Sequence, residues 1–372
     1  MSGRADVAVI GAGIAGASLA AELAGHASVI ILEAEDQPGY HATGRSAAFW
    51  AESYGGPLVQ PLTSASGPFL AAPLPAFADA PFLSGRGAIH VADGGGLEAL
   101  DKLEAEFAGT AIALQRLNRP ALEGRIAGLR PGWEAALWEP SCADIDVARL
   151  HAAYLRAARR AGATLAAGHI VARAERRSGC WRIETRSASF EAGTIVDAAG
   201  AWADPVAAAC GVAPAGVRPF RRTIAQIRVS PPPPAGLPLI IDALGRFYFK
   251  PEAGERLWLS PHDETPCEPC DAAADEYDVA LAIDRLAQLV DWRVERVERS
   301  WAGLRSFAPD RLPVIGFSPG RADFFWFAGQ GGFGIQTAPA AAKLAASILL
   351  GRAPDVSVAA IDPEPYSPAR FA

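Results

Sequence analysis

Residues 6–18 read DVAVIGAGIAGAS, an apolar run that breaks at a glycine turn and resumes as an alanine-rich stretch. The run 6–10 predicts a short buried strand, and the alanines that follow predict a helix to about residue 24. A second apolar run, 29–32, ends at Glu33. Together they predict a strand–helix–strand unit. Gly11 permits a tight turn, Gly13 lets the backbone approach a pyrophosphate, and Gly16 lets the helix pack closely on the strand. The N–H groups and dipole of the helix start favour phosphate. Glu33, 22 residues beyond Gly11, stands where an acid accepts ribose hydroxyls. A glycine turn without a ligand explains the isolated motif. It does not explain a motif set between strand and helix and followed by that acid, so dinucleotide binding is expected.

The rest of the 372 residues extends this reading. Half are hydrophobic, enough for a large core in two or three domains. A net charge of -7 with no basic tract argues against nucleic acid as a partner. Five cysteines in so long a chain do not suggest a disulfide framework. The pair Cys267 and Cys270 has metal-like spacing but lacks a second pair, so it reads as a loop. No secretory signal and no run of about 18 apolar residues is present, so a cytoplasmic protein without a transmembrane segment is expected.

Further strands are expected at 88–91, 165–172, 181–185, 194–198, 221–229, 239–242, 246–250, 257–260 and 324–327. Helices are expected at 96–108, 145–161 with Asp146 as N-cap, 275–289 and 336–350. The C-terminal stretch FAGQGGFGIQ (327–336) repeats the strand, glycine turn and helix arrangement. A helix start there can stabilise negative charge on a reduced flavin, or it can be an ordinary glycine-packed helix start. Two such turns at opposite ends of the chain favour a long, extended cofactor.

Eight stretches together resemble the D-amino-acid oxidase superfamily of flavoproteins, which includes glycine and sarcosine oxidases. They are GAGIAGAS (11–18), GYHATGRSAA (39–48), ADID (143–146), VDAAGAWAD (196–204), RRT (221–223), FYFKPEAG (247–254), WAGLRSF (301–307) and GQGGFGIQT (329–337). Within it the likeness is greatest to the bacterial D-arginine dehydrogenase-like group. The resemblance implies an α/β chain with a discontinuous Rossmann-like FAD-binding domain of glutathione-reductase type (1–85, 142–216, 308–372). An inserted substrate domain with a mixed or antiparallel sheet (86–141, 217–307) completes it. It also implies that Gly11, Gly13, Ile14, Ala15, Gly16, Glu33 and Ala34 bind the ADP half. Arg45, Ser46 and Ala47 then pass the pyrophosphate and flavin, and Val171 meets the adenine. Ala199, Gly200, Trp202 and Gly303 lie near the cofactor, with Gly331, Gly332, Gly334, Ile335 and Gln336 at the flavin ring. No cysteine occurs in 301–337, so FAD is expected to bind noncovalently. His41 lies in the flavin-side segment.

By the same resemblance Arg222 and Arg305 grip a substrate carboxylate, Tyr54 and Tyr248 close over it, and Gln336 lies near the amine. A planar guanidinium suits a carboxylate better than an ammonium does. Each residue also has an ordinary explanation: a surface charge at Arg221 or Arg222, a core position for Tyr248, Asp310 as partner of Arg305. The implied reaction is oxidative deamination of a D-amino acid. Hydride passes from Cα to flavin N5, the imino acid hydrolyses to a 2-oxo acid and ammonia, and a quinone, dye or oxygen takes the electrons. No general base is assigned. Oxidation of glycine- or sarcosine-like amines or 2-hydroxy acids, or a non-catalytic FAD-binding subunit, are the alternatives. Two departures matter. Phe49 replaces a histidine of the D-arginine dehydrogenase pattern, and Ala88 replaces its acid for the distal guanidinium, although Glu52 could substitute. Neutral or hydrophobic side chains are therefore expected to be preferred over basic ones.

Overall fold

The protein is described by a computed structural model covering residues 4–234 and 236–372. The apolar run at the start forms the strand Arg4–Ile10, buried along its second half. It is flanked by Val29–Leu32 and Ser189–Asp197, both parallel to it. Thr164–Ala166 and Arg321–Ala328 extend the parallel array on either side. An antiparallel hairpin, Val171–Arg177 with Cys180–Thr185, branches from Ser189–Asp197, and Val314–Ser318 closes the far edge. Parallel strands buried on both faces need helices on both faces. The helices Ile14–Leu23 and Gly334–Leu350 cover one face, and Ala203–Ala209 covers the other.

Gly16 sets the distance between the first helix and the turn before it. A Cβ added at Gly16 would lie 1.9 Å from the Gly11 carbonyl oxygen. Gly11 itself has φ +100, and a Cβ there would lie 2.5 Å from the Ala198 carbonyl oxygen. The helix start is held further by Thr43, whose hydroxyl accepts from Ile14 N at 2.9 Å.

A second, ten-stranded sheet draws on Ala88–Asp93, Gln115–Asn118, Trp133–Glu139 and the strands from Arg218–Ser230 to Arg293–Phe307, with Gln330–Gly331 at one end. Its pairings are antiparallel except between Ala88–Asp93 and Leu239–Asp242. The helix Glu276–Leu289, capped by Asp275 at Tyr277 N, packs on it over a separate apolar core. A small three-stranded sheet joins Phe49–Trp50, Ala143–Ile145 and Leu83–Gly85. The α/β class, with a nucleotide-type parallel sheet and a mixed second sheet, agrees with the sequence reading.

Several expected elements differ. The single strand at 165–172 is two strands, Thr164–Ala166 and Val171–Arg177, at opposite ends of the first sheet. The chain breaks at Gly168 (φ +73), which turns residues 169–171 toward a cleft. Arg293–Phe307, 15 residues long, lay outside the expected strands apart from its motif, because its first half is charged and solvent-facing. Gln115–Asn118 and Trp133–Glu139 were not expected either. The helix expected at 145–161 is Val147–Arg160, with Asp146 accepting from Arg149 N.

Gly16→Ala is expected to push the first helix off the turn and cost about 1–3 kcal/mol, the usual range for overpacking. Thermal unfolding and flavin content measure it, and a variant with wild-type melting and full flavin would contradict this packing.

Candidate functional site

One cleft runs from the first glycine turn to the last. Gly11, Gly13, Ile14 and Ala15 line one end, with Glu33 and Ala34 beside them. Glu33 is 8 % exposed and accepts Ala12 N at 2.6 Å on one oxygen and Glu35 N at 3.0 Å on the other. Each oxygen keeps a second lone pair for an incoming hydroxyl. Val171, Ala199, Gly200 and Trp202 line the same end, and Gly303, Gly331, Gly332, Gly334 and Ile335 line the other. Three residues that the sequence passed over also line it: Thr43, His169 and Ile170. His41 faces the cleft, bonded to Glu35 at 2.8 Å and set 4.6 Å from the Trp202 ring.

Four of the expected cofactor residues lie off the cleft or have their side chains engaged by the protein. Gly16 and Ala47 do not line the cleft. Gly16 serves helix packing, and Ala47 is buried with Ala88 and Tyr248. Arg45 lines it, but its guanidinium is occupied by the Ala272 and Ala302 carbonyls and by Asp271, so its charge ties two segments of the protein together. Ser46 lines it while its hydroxyl accepts Ala48 N.

At the flavin-ring end two guanidiniums meet. Arg305 donates from Nη1 to Tyr54 Oη at 3.0 Å and to the Gly332 carbonyl at 3.2 Å. A Cβ at Gly332 would lie 2.2 Å from that nitrogen and 2.3 Å from the phenol oxygen, so glycine makes the contact possible. Arg305 has no salt-bridge partner among the described residues, because Asp310 is taken by Arg370 at 2.6 Å. Arg222 is 2 % exposed and donates to the Asp263 carbonyl and to Glu264 at 3.0 Å, which leaves its buried Nη1 unbonded. Glu264 is shared with Arg311. Arg221, the neighbouring candidate, turns away to Asp278. The Tyr248 hydroxyl is buried and likewise unbonded. Phe49 stands 5.3 Å from the Tyr54 ring and 6.0 Å from the Tyr248 ring, and His262 stands 5.5 Å from Tyr248.

Positive charge dominates here. Burial alone would raise the Tyr54 phenol, but Arg305 and Arg222 pull it below its ordinary value. Burial, with Arg222 adding to it, lowers His262 to about 3, so this imidazole is neutral at physiological pH. Burial opposes the charge on Arg305, yet Tyr54, Tyr248 and Glu264 hold its pKa above the usual value. Arg222 and Arg305 both line the cleft, and the unbonded Arg222 Nη1 and Tyr248 hydroxyl lie buried behind its surface.

Gln336 does not line the cleft. It accepts Ala51 N at 3.1 Å and donates to the Tyr54 carbonyl at 3.1 Å and to Thr63 Oγ1 at 2.9 Å, so its hydrogen bonds are spent on the protein. Glu52 is likewise engaged, by Ser64 of the helix Gln60–Ala71. None of the five cysteines, all free thiols, lines the cleft. No group of residues suited to a metal occurs among the described residues. None of the described helices is long and apolar enough to cross a membrane.

A family model described as FAD dependent oxidoreductase matches residues 6–348. The chain is 28% identical to a glycine oxidase from Geobacillus kaustophilus over 94% of both chains. The crystal structure of glycine oxidase from that organism superposes with a TM-score of 0.85 at 25% identity, covering 98% of each chain. A glycine oxidase of Pseudomonas aeruginosa is 33% identical over 36% of this chain, a stretch that spans only 35% of that protein. The family and these folds carry FAD, and the glycine turns at both ends of the cleft, with Glu33 beside the first, suit it.

Acid precipitation is expected to release all flavin into the supernatant, and flavin left on the pellet would mean a covalent link. Flavin absorbance titrated with acetate is expected to show weaker binding as pH rises, beginning below the ordinary tyrosine range. Ionised Tyr54 then neutralises the guanidinium that the ligand needs. Tyr54→Phe should remove this alkaline limb, and a limb that survives the substitution would contradict the assignment.

Proposed function

The chain belongs to the family of FAD-dependent oxidoreductases, and from that premise we propose that it oxidises the C–N bond of a small α-amino acid with no charged side chain. Glycine and its N-alkyl derivatives such as sarcosine come first, and D-amino acids with short apolar side chains come next. The observation that carries this reading is that the half-buried guanidinium of Arg305, bonded to no carboxylate, lines the same cleft as Arg222, whose Nη1 is unbonded. In this reading the two arginines fix the carboxylate, and Tyr248 contributes a hydroxyl. Phe49, Tyr54 and Tyr248 make a short aromatic wall around the α-carbon. FAD would supply the hydride acceptor at this carbon, and hydrolysis of the resulting imine would give a 2-oxo acid with ammonia from a primary amine or with the alkylamine from an N-alkyl one. The chain's own work is orientation and exclusion of water, which fits the absence of an assigned base.

The site residues divide accordingly. Gly11, Gly13, Ile14, Ala15, Glu33, Ala34 and Val171 serve the ADP half. Ala199, Gly200, Trp202, Gly303, Gly331, Gly332, Gly334 and Ile335 serve the remainder. The division into an FAD-binding domain (1–85, 142–216, 308–372) and a substrate domain (86–141, 217–307) belongs to the same reading. The relatives named above are glycine oxidases, not D-arginine dehydrogenases. At position 88 the alanine is fully buried and offers no carboxylate for a substrate guanidinium, which buried without a partner would cost several kcal/mol. Five free thiols support a reducing, cytoplasmic setting.

Anaerobic loss of the visible flavin band tests this. Glycine and sarcosine should bleach the enzyme fastest, D-alanine more slowly, and D-arginine with at least about tenfold lower kcat/KM. D-arginine outrunning glycine and D-alanine would overturn the substrate reading. Bleaching by glycolate alone would make the enzyme a hydroxy-acid oxidase, and silence throughout would make it a binding subunit. Repetition with oxygen and with a dye or quinone distinguishes oxidase from dehydrogenase.

A further inference from the structure

Outside the cleft, one buried titratable cluster is not used by this chemistry. Glu139 ends the strand Trp133–Glu139 with 0 % exposure. Its Oε1 accepts Glu52 N at 2.7 Å and Ser53 N at 3.3 Å, and its Oε2 accepts the Ser53 hydroxyl at 2.5 Å. His90 Nε2 lies 3.3 Å from Oε2. A carboxylate taken fully out of water persists only when its lone pairs are met, and here donors meet both oxygens. What Glu139 holds is the turn 51–54. Gln336 holds the same turn from the other side, at Ala51 N and the Tyr54 carbonyl. The backbone N–H of Tyr54 closes the turn on the Ala51 carbonyl at 3.2 Å. Every amide donor of the turn is thus accounted for, and the turn presents Tyr54 to Arg305.

We propose that Glu139 is a positioning residue for substrate binding: by fixing residues 52 and 53 it sets Tyr54, and through the Tyr54 hydroxyl it sets Arg305. The inference rests on the carboxylate-clamp reading of Arg222 and Arg305. It goes beyond that reading because Glu139 reaches neither the cleft nor any ligand in it. The role is directional. Removing the charge loosens two backbone donors and one hydroxyl, all one residue or two from Tyr54, while the FAD-lining segments keep their own contacts. Ser53 and His90 share the task as donors, and the strand Ala88–Asp93 supplies His90 from the neighbouring position in the sheet.

The test uses the FAD-loaded full chain with Glu139→Gln, Ser53→Ala, Tyr54→Phe and the Glu139→Gln/Tyr54→Phe double variant. Acetate binding, read from flavin absorbance, should weaken about tenfold in Glu139→Gln and less in Ser53→Ala, the effect of losing hydrogen bonds to a charged group. The double variant should bind no more weakly than Tyr54→Phe alone. Isotope-labelled tyrosine NMR, with Tyr54 assigned by its loss in Tyr54→Phe, should show the Tyr54 titration moving up in Glu139→Gln as Arg305 drifts from the phenol. A Tyr54 titration unmoved in both Glu139→Gln and Ser53→Ala overturns the inference, as does full additivity in the double variant. Failure of acetate to bind the wild-type protein would instead remove the clamp reading, and the tyrosine titration would still decide the role of Glu139.

Discussion

A guanidinium with no carboxylate bonded to it attracts an anion, and Arg305, half-buried on the wall of the cleft, is held in that condition by two uncharged acceptors, Tyr54 Oη and the Gly332 carbonyl. The surroundings keep it so. Asp310, near in sequence, is drawn off by Arg370, and Glu264 is divided between Arg222 and Arg311. Gly332 has no side chain because none would fit between the guanidinium and the phenol. A site that paid for neutrality with its own acid would bind a carboxylate less well.

The same backbone fixes both ends of the cleft. The turn 329–334 lines it and also hands the Gly332 carbonyl to Arg305. The segment 39–54 begins beside the nucleotide end, where Thr43 bonds the start of the first helix. It is pinned at Arg45 to Asp271 and Ala272, and it ends at Tyr54. Gln336, on the helix that starts at the last glycine turn, grips this segment again at residues 51 and 54. A shift of either glycine turn would therefore reach Tyr54 and Arg305 through packing and hydrogen bonds.

What could be read from sequence was what is local. The turn at Gly11–Gly16 needs its glycines because of contacts within a few residues, and the strand, helix and acid around it have short-range patterns. Asp146 and Asp275 cap their helices by the same local rule. Arg293–Phe307 escaped because a strand that shows charged side chains to water has no apolar alternation, and only its long pairing with Arg218–Ser230 makes it a strand. The break at Gly168 escaped because the apolar run continues across it while the chain leaves one edge of the sheet for the other. Arg222, Arg305 and Gln336 drew notice by their place in longer motifs, but the neighbours that Gln336 bonds were not legible there. Its partners, Ala51, Tyr54 and Thr63, lie more than 270 residues away in the chain. Glu139 carries no motif, and nothing short of the fold brings it to residues 52 and 53.

The register of the second sheet bears on the alanine at position 88. Ala88 pairs directly with Glu139 across the antiparallel strands Ala88–Asp93 and Trp133–Glu139. Side chains of directly opposed residues share a face, and like charges there are destabilising. An acid at 88 would therefore confront the buried carboxylate of Glu139, whose one nearby basic group, His90, is already engaged. The position that could neutralise a basic substrate side chain and the position that secures the Tyr54 turn are thus in competition for one patch of sheet. This chain places its carboxylate at 139, turns it toward the backbone of residues 52 and 53, and leaves position 88 small, apolar and fully buried. Packed with Tyr248 and Phe49, position 88 is uncharged, and the absence of an acid there follows from how the turn is held.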